Sequence, residues 1–256
     1  MDNWFEITQV QATLPRLAEE FDGYRLVHIS DLHTGTWLNQ ARLDEAVSLV
    51  NQQRPNMIAI TGDFVSHRPD HSRAYLADSL KSLQSGDGTV AVLGNHDHWV
   101  NPSIVRQTLQ AAGIIELNNR VRTIERGNAK LHLAGIDDAM EEMDRIGEVI
   151  RRLPAQGAAI LLAHEPDFAE VSVRSGRFDL QLSGHTHGGQ IILPLIGPPY
   201  LPRMGRKYPS GLYQKNGMLI YTNRGLGTTA LRLRWNAPAE ITVITLRSPK
   251  IDSCVK

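Results

Sequence analysis

An α/β sandwich of two mixed β-sheets flanked by helices is the fold this sequence predicts, and three observations predict it. Apolar runs of strand length alternate with amphipathic stretches as far as Gly113, a β-α-β-α-β-α order that demands parallel strands joined by helical crossovers. Beyond that point the pattern turns to hairpins, bringing the total to roughly ten strands, enough for two sheets. The metal-capable polar residues gather just past the ends of the apolar runs, where open α/β sheets bind ligands.

The elements follow in order. Glu6 to Leu14 has strand alternation, and Tyr24 to Ser30 (YRLVHIS) reads as a buried strand. Asn39 to Gln53 places Leu43, Ala46, Val47 and Val50 on one helical face. Pro55 marks the boundary before the strand Asn56 to Thr61. Arg73 to Leu83 reads as a helix, Thr89 to Leu93 as a strand, and Pro102 to Ala112 as a helix that stops at Gly113. Val121 to Glu125 and Lys130 to Gly135 flank a turn at Gly127-Asn128. Met143 to Leu153 predicts a helix ending at Pro154. Ala158 to Ala163 and Asp179 to Leu182 are short strands. Leu212 to Gln214 and Met218 to Thr222 pair around Lys215-Asn216-Gly217, and Glu240 to Leu246 closes the set.

Composition narrows the function classes. The chain has 256 residues, and one domain over 1–256 is expected. Lys plus Arg and Asp plus Glu are both 27, so the formal net charge is zero, which argues against a nucleic-acid partner. A hydrophobic content of 41% excludes disorder over most of the chain. The single cysteine, Cys254, rules out an intrachain disulfide and is compatible with a reducing compartment. The first residues show no charged-then-apolar leader, and no apolar run is long enough to span a bilayer. A cytoplasmic location is expected, with peripheral contact at the inner face of the membrane as an extension.

Five strand ends carry the chemistry. LVHIS leads to Asp31-Leu32-His33, and MIAIT to Gly62-Asp63. VAVL leads to Gly94-Asn95-His96-Asp97, AILLA to His164-Glu165, and LQLS to Gly184-His185-Thr186-His187-Gly188-Gly189. Residues i and i+2 of an extended segment share a face, so Asp31 and His33 can aim at one point. His185 and His187 lie roughly 6–7 Å apart along extended chain, far enough to serve two metals. A two-metal site needs a bridging carboxylate, and Asp63 is the candidate. Taken singly, an Asp-x-His or a Gly-Asp is as well explained by a turn. Five such blocks, each at a strand end, are not.

The set Asp31-x-His33, Gly62-Asp63, Gly94-Asn95-His96-Asp97, His164 and Gly184-His185-x-His187 resembles the calcineurin-like metallophosphoesterase superfamily from about Val27 to His187. The resemblance implies its four-layer sandwich. It implies that Asp31, His33 and His187 hold one metal, that Asn95, His164 and His185 hold a second, and that Asp63 bridges them. It places His96 beside the reacting phosphate. Gln190, Gly211, Gly225-Leu226-Gly227 and Arg232 look like a bacterial branch termed YkuE-like or YaeI-like, which includes membrane-associated phosphoesterases and enzymes that cleave UDP-2,3-diacylglucosamine in lipid A synthesis. The protein Ser/Thr phosphatase pattern is not met, because Asp63 is followed by Phe64-Val65-Ser66-His67-Arg68.

The expected activity is a dinuclear-metal phosphoester hydrolase of phosphodiesterase or pyrophosphatase type. Two divalent ions, two carboxylates and a bridging hydroxide leave a charge of about +1, suited to a phosphate ester. That hydroxide would attack phosphorus in line, His96 would stabilise charge or protonate the leaving group, and Asp97 would orient His96 or form a turn. The thiolate-free donor set suits Mn, Fe, Zn or Co, with manganese the first expectation. A lipid-linked nucleotide is the leading substrate. A cyclic-nucleotide or other small phosphodiester, and a non-catalytic binding scaffold, are the alternatives.

The remaining histidines are expected to be structural or peripheral: His28 and His132 in the sheets, His67, His71 and His98 on the rim. Glu165 is expected to stand behind His164 or to start a helix before Pro166. Ile191 to Tyr208 is apolar, proline-rich and ends with Arg203, Arg206 and Lys207. It reads as an ordered loop packed on the domain, or as an apolar-basic lip for an amphiphilic substrate or an anionic membrane.

Overall fold

In the computed structural model, residues 4–35, 37–66, 73–229 and 231–249 are described. The chain begins with β1 (Phe5–Thr13) and β2 (Arg25–Ile29), then α1 (Gln40–Gln52) and β3 (Met57–Thr61). It continues with α2 (Arg73–Lys81), β4 (Thr89–Val92), α3 (Asn95–Val100), α4 (Pro102–Ala111) and β5 (Ile115–Glu116). A second run holds β6 (Arg120–Arg126), β7 (Ala129–Gly135), α5 (Ile146–Arg152), β8 (Ala158–Leu162), α6 (Ala169–Ser172) and β9 (Leu180–Ser183). β10 (Gly211–Lys215) and β11 (Met218–Thr222) form a hairpin, and β12 (Ala239–Arg247) returns to the first sheet.

The strands make two six-stranded mixed sheets, ordered β1-β12-β2-β3-β4-β5 and β10-β11-β9-β8-β7-β6. β2 through β5 run parallel, as do β7, β8, β9 and β11. β12 slots between β1 and β2, parallel to the first and antiparallel to the second. Alternation along each strand sorts side chains into three apolar layers. Val27, Ile29, Ile58 and Ile60 face the helices, meeting Leu43, Val47 and Val50 of α1 and Val105 and Leu109 of α4. Leu26, Met57, Ala59 and Val90 face the other sheet, meeting Leu131, Leu133, Ile160, Leu162 and Leu182. Ala134, Ala159 and Leu161 pack outward on Val149, Phe168 and Phe178. The result is the helix-sheet-sheet-helix layering the pattern implied.

Local chemistry sets the element ends. Asn39 caps α1 by accepting from the Arg42 N–H at 3.1 Å. Asn101 caps α4 at the Ser103 and Ile104 N–H groups, with Pro102 in the first turn where its missing donor costs nothing. The helix expected over Met143 to Leu153 starts only at Ile146. Asp138 accepts the Glu141 N–H and Asn119 accepts the Arg145 N–H, closing the preceding residues into turns. β5 is two residues long, too short for a period to register in the sequence. α3 also escaped the sequence reading, because its first residues double as motif residues.

His28 is buried in β2 with Nε2 on the Thr61 hydroxyl, and burial drives its pKa down to about 3. His132 bridges the Thr123 hydroxyl and the Gln156 carbonyl. His67 and His71 lie outside the described residues. Ile160→Ala would open a cavity between the sheets, where Ile160 is fully buried. A loss of about 2–5 kcal/mol in urea unfolding is expected, and a loss within error would mean this layer is not close-packed.

Candidate metal centre

The parallel strands of both sheets end at one rim, and the motif residues converge there from both. β2 and β3 deliver Asp31, His33 and Asp63, while β8 and β9 deliver His164, His185 and His187. The segments are stitched together by backbone bonds: Asp31 N–H to Gly62 O, His33 N–H to Asp63 O, and Gly184 N–H to His164 O. The Asp31 carboxylate crosses the seam, its two oxygens accepting the His185 N–H at 3.0 and 2.9 Å. Asp31, His33, Asp63, His185 and His187 all have positive φ, from 43° to 72°. That left-handed backbone costs on the order of 1–2 kcal/mol per non-glycine residue, so five together mark chain held in place by its surroundings. Gly184 and Gly227 allow the close approach. A Cβ on Gly184 would lie 1.8 Å from Ser30 Oγ, and one on Gly227 2.1 Å from the Leu32 carbonyl oxygen.

The donor atoms form two triads that share a face. In one, His33 Nε2 lies 3.0 Å from His187 Nε2 and 3.9 Å from Asp31 Oδ1, and His187 Nε2 lies 3.4 Å from Asp31 Oδ1. In the other, His164 Nε2 lies 3.3 Å from both Asp63 Oδ2 and His185 Nδ1. Asp63 Oδ2 also lies 3.3 Å from His33 Nε2, so one carboxylate oxygen faces both groups. Donor atoms within each of the sets Asp31-His33-His187 and Asp63-His164-His185 fall within 4.8 Å of one another. His33, Asp63 and His96 form a third such set.

The outer bonds set the imidazoles for metal binding. The second ring nitrogens of His164 and His185 meet carbonyls, which can only accept. His164 therefore donates from Nδ1 to Thr61 O at 2.7 Å, and His185 from Nε2 to Arg203 O at 2.8 Å. Their other nitrogens turn lone pairs into the cluster. Burial pushes His185 down to about 3, aided by the neighbouring His164, and holds His187 well below its ordinary range, aided by His33. Both are thus held neutral, the form a metal requires. Burial opposes the charged form of His164, but Asp63 and Asp31 outweigh it and raise the group well above its ordinary value. Burial, with the charge of Asp63 adding to it, raises Asp31. Asn95 Oδ1 is buried without a hydrogen-bond partner. A buried amide oxygen left without a donor is the kind of group a cation satisfies, and the two carboxylates and four neutral-capable histidines of the triads are a donor set that fits two divalent cations.

His96 sits half-buried at the mouth. Its N–H donates to Asp63 Oδ1 at 2.9 Å, and its Nδ1 is 3.3 Å from the Ser66 carbonyl. The ring lies between His33 and Trp99, with both centroids at 4.7 Å. Asp97 takes the turn-forming role of the two expected for it: its carboxylate accepts the N–H groups of Gly94, Phe64 and Val65, tying the loops after β3 and β4 together. His98 bonds Asp137 at 2.7 Å. Glu165 is buried behind His164, accepts the Ala139 N–H, and is raised well above its ordinary range by burial and by Asp138.

Two contributors were missed in the sequence. Trp99, half-exposed, is tied by Nε1–H to Glu141 and lies one helical turn from His96, a spacing that could have flagged it. Arg234 sends its guanidinium inward to the carbonyls of Arg224, Gly225, Gly227 and Ala237, with Nη2 3.2 Å from His187 Nδ1. In the sequence it is one charge in a short Arg-rich run, and no local signal singles it out.

A two-sheet sandwich with this donor cluster at the seam defines a metallophosphoesterase-type hydrolase. The fold matches a dimetal phosphatase from Danio rerio (TM-score 0.55, 12% identity, 88% of this chain and 99% of that one). It also matches the sulfate thiohydrolase SoxB of Thermus thermophilus (TM-score 0.56, 13% identity, 89% and 57%). The chain belongs to the calcineurin-like phosphoesterase family, whose model matches residues 24–189, and is a metal-dependent phosphoester hydrolase by class. It is 37% identical over 233 residues to the metallophosphoesterase YkuE of Bacillus subtilis, covering 89% of this chain and 80% of that protein. It is 31% identical over 249 residues to the phosphodiesterase YaeI of Escherichia coli, covering 95% and 88%.

Cations filling the cluster would relieve two buried carboxylates. Adding Mn to metal-stripped protein should therefore raise the Tm in a concentration-dependent way. Asp63→Asn should lower the content of both ions together by elemental analysis. Loss of one ion alone would show that Asp63 does not bridge.

Proposed function

We propose that this chain hydrolyses a phosphodiester or pyrophosphate bond at a two-metal site, in which Asp31, His33 and His187 hold one ion, His164, His185 and Asn95 the other, and Asp63 both. The single observation behind this reading is the pair of triads meeting at one oxygen of Asp63, each within ligand reach. Divalent ions there, manganese first among them, would supply Lewis acidity toward the phosphoryl oxygens and a more acidic water.

The chain's own groups do the rest. His96, with Nδ1 directed at the Ser66 carbonyl, holds at Nε2 the proton given to the leaving oxygen. With Nδ1–H held by the carbonyl, that proton is present only in the imidazolium; burial lowers the pKa, making this form a stronger acid but a scarcer one, so the acid role strengthens as pH falls. Asp97 acts on position: by clamping Phe64, Val65 and Gly94 it fixes the loops that carry Asp63 and His96. Arg234 and the Arg203 carbonyl hold the rings of His187 and His185.

The substrate class favoured is a nucleotide pyrophosphate with a lipid tail, such as UDP-2,3-diacylglucosamine. Trp99 offers an aromatic face beside His96 for a base. The apolar segment that follows the histidine block leaves from the same rim. No helix among the described residues is long and apolar enough to cross a membrane. A small phosphodiester is the second reading, favoured by likeness to a relative named a phosphodiesterase. A binding-only scaffold fits poorly, since the sequence retains all seven expected donor residues and His96.

Metal-stripped protein with Mn restored should turn over bis-p-nitrophenyl phosphate faster than p-nitrophenyl phosphate, and UDP-2,3-diacylglucosamine in preference to cyclic nucleotides. His96→Ala should keep its metals and lose about 10²–10⁴-fold in kcat. Near-normal kcat in that variant would remove His96 from the chemistry. Absence of any metal-dependent turnover would favour the scaffold.

A further inference from the structure

Two loops beside the metal centre present the least expected surface of the molecule. Ile191 N–H donates to Gly189 O, Ile192 N–H to Trp235 O, and Trp235 N–H to Gln190 O, so residues 191–193 lie against 235. The Gln190 side chain bonds the Leu231 carbonyl and the Thr229 N–H, which joins the second loop along its length. Leu193 and Gly197 then close a tight turn whose tip is apolar: Leu195 is fully exposed and Ile196 76% exposed. Tyr200, Leu231, Leu233 and Trp235 are each more than half exposed nearby. Turn tips are ordinarily polar, and clustered exposed apolar side chains mark an interaction surface.

The loop is held rigidly where it meets the domain. The Met204 carbonyl accepts the Asp167 N–H, and the Asp167 carboxylate accepts the Arg206 and Lys207 N–H groups. The base of the segment is thus packed on the domain as an ordered loop, while its tip at Leu195 and Ile196 stays exposed.

Charge decides what covers this face. Segments 191–208 and 231–236 hold Arg203, Arg206, Lys207, Arg232 and Arg234 and no acidic residue, in a chain of zero net charge. Arg234 turns inward and Lys207 pairs with Glu170 at 3.4 Å, so the exposed Arg203, Arg206 and Arg232 carry the positive charge of this face. A second copy of this chain would bring like charge against like charge. An anionic bilayer complements both properties: basic residues meet headgroups while Leu195, Ile196 and Trp235 enter the interface.

We propose that these paired loops dock the protein on an anionic lipid surface, with the metal centre facing along it. The proposal deepens the hydrolase reading, because the Arg203 carbonyl and Arg234 of the same loops hold His185 and His187, so a docked face and an open active site share one rim. Its binding does not require turnover.

The test is sedimentation of the full chain with phosphatidylcholine vesicles, with and without phosphatidylglycerol, across a salt series. Binding to the anionic vesicles that weakens with salt is expected. Leu195→Glu with Ile196→Glu should weaken it by about tenfold or more, while Tm and bis-p-nitrophenyl phosphate turnover stay unchanged. Arg232→Glu should flatten the salt dependence. No binding to anionic vesicles, or binding indifferent to the tip variant, overturns the proposal. So does a concentration-dependent dimer that the tip variant dissolves, which would make a second copy the occupant. A tip variant that binds vesicles normally but raises KM for a monomeric short-chain lipid substrate also overturns it, assigning the face to the substrate's tail. Normal sedimentation without metal-dependent turnover sinks the hydrolase reading alone.

Discussion

The Asp31 carboxylate ties the two sheets together at the rim that carries the metal-capable side chains. It leaves the end of β2 in one sheet and takes the His185 N–H, just past β9 of the other, on both oxygens. Gly225 and Gly227 pack against it, their residues drawn in by the bond from Gly227 N–H to Asp31 O. With the bonds from His164 to Thr61 O, Leu226 N–H to Ser30 O and Asn223 to His28 O, this side chain holds the two rims face to face, and the other donors hang from strand ends fixed by that seam.

The seam also concentrates unfavourable electrostatics. Two carboxylates and four imidazoles lie within a few ångströms of one another under full burial, an arrangement that hydrogen bonding alone does not satisfy. The protein removes the ambiguity with carbonyls. Thr61 O and Arg203 O each fix the proton on the outer nitrogen of a histidine, leaving the inner nitrogen as a donor of electrons. Function and fold would be coupled here: cations completing the cluster would take donors from both halves of the sandwich.

Much of this was legible in the chain itself. The helical face Leu43, Ala46, Val47 and Val50 and the buried strands of β2, β3 and β8 announce themselves by period. The donor blocks are legible because each sets a metal-capable residue just past such a strand, three of the five beside a glycine. What escaped has a physical reason. Arg234 acts through the carbonyls of His187, Arg224, Gly225, Gly227 and Ala237, most of them outside its own short segment, and they leave no trace in its neighbours. For Asp97 the sequence left orienting His96 and forming a turn both open, and only the fold shows its carboxylate, at the third position of a short helix, taking nearby N–H groups. The late start of α5 depends on side-chain bonds from Asp138 and Asn119 that periodicity does not see.

The left-handed backbone at Asp31, His33, Asp63, His185 and His187 has a consequence for anyone who would build such a centre anew. Copying the side chains onto regular strands of a designed scaffold would aim them wrongly, since an extended residue sends its Cβ along a different vector from one at positive φ. The transferable unit is the strand-end turn together with the carbonyls and glycines that hold it, and a graft would have to carry those as a block.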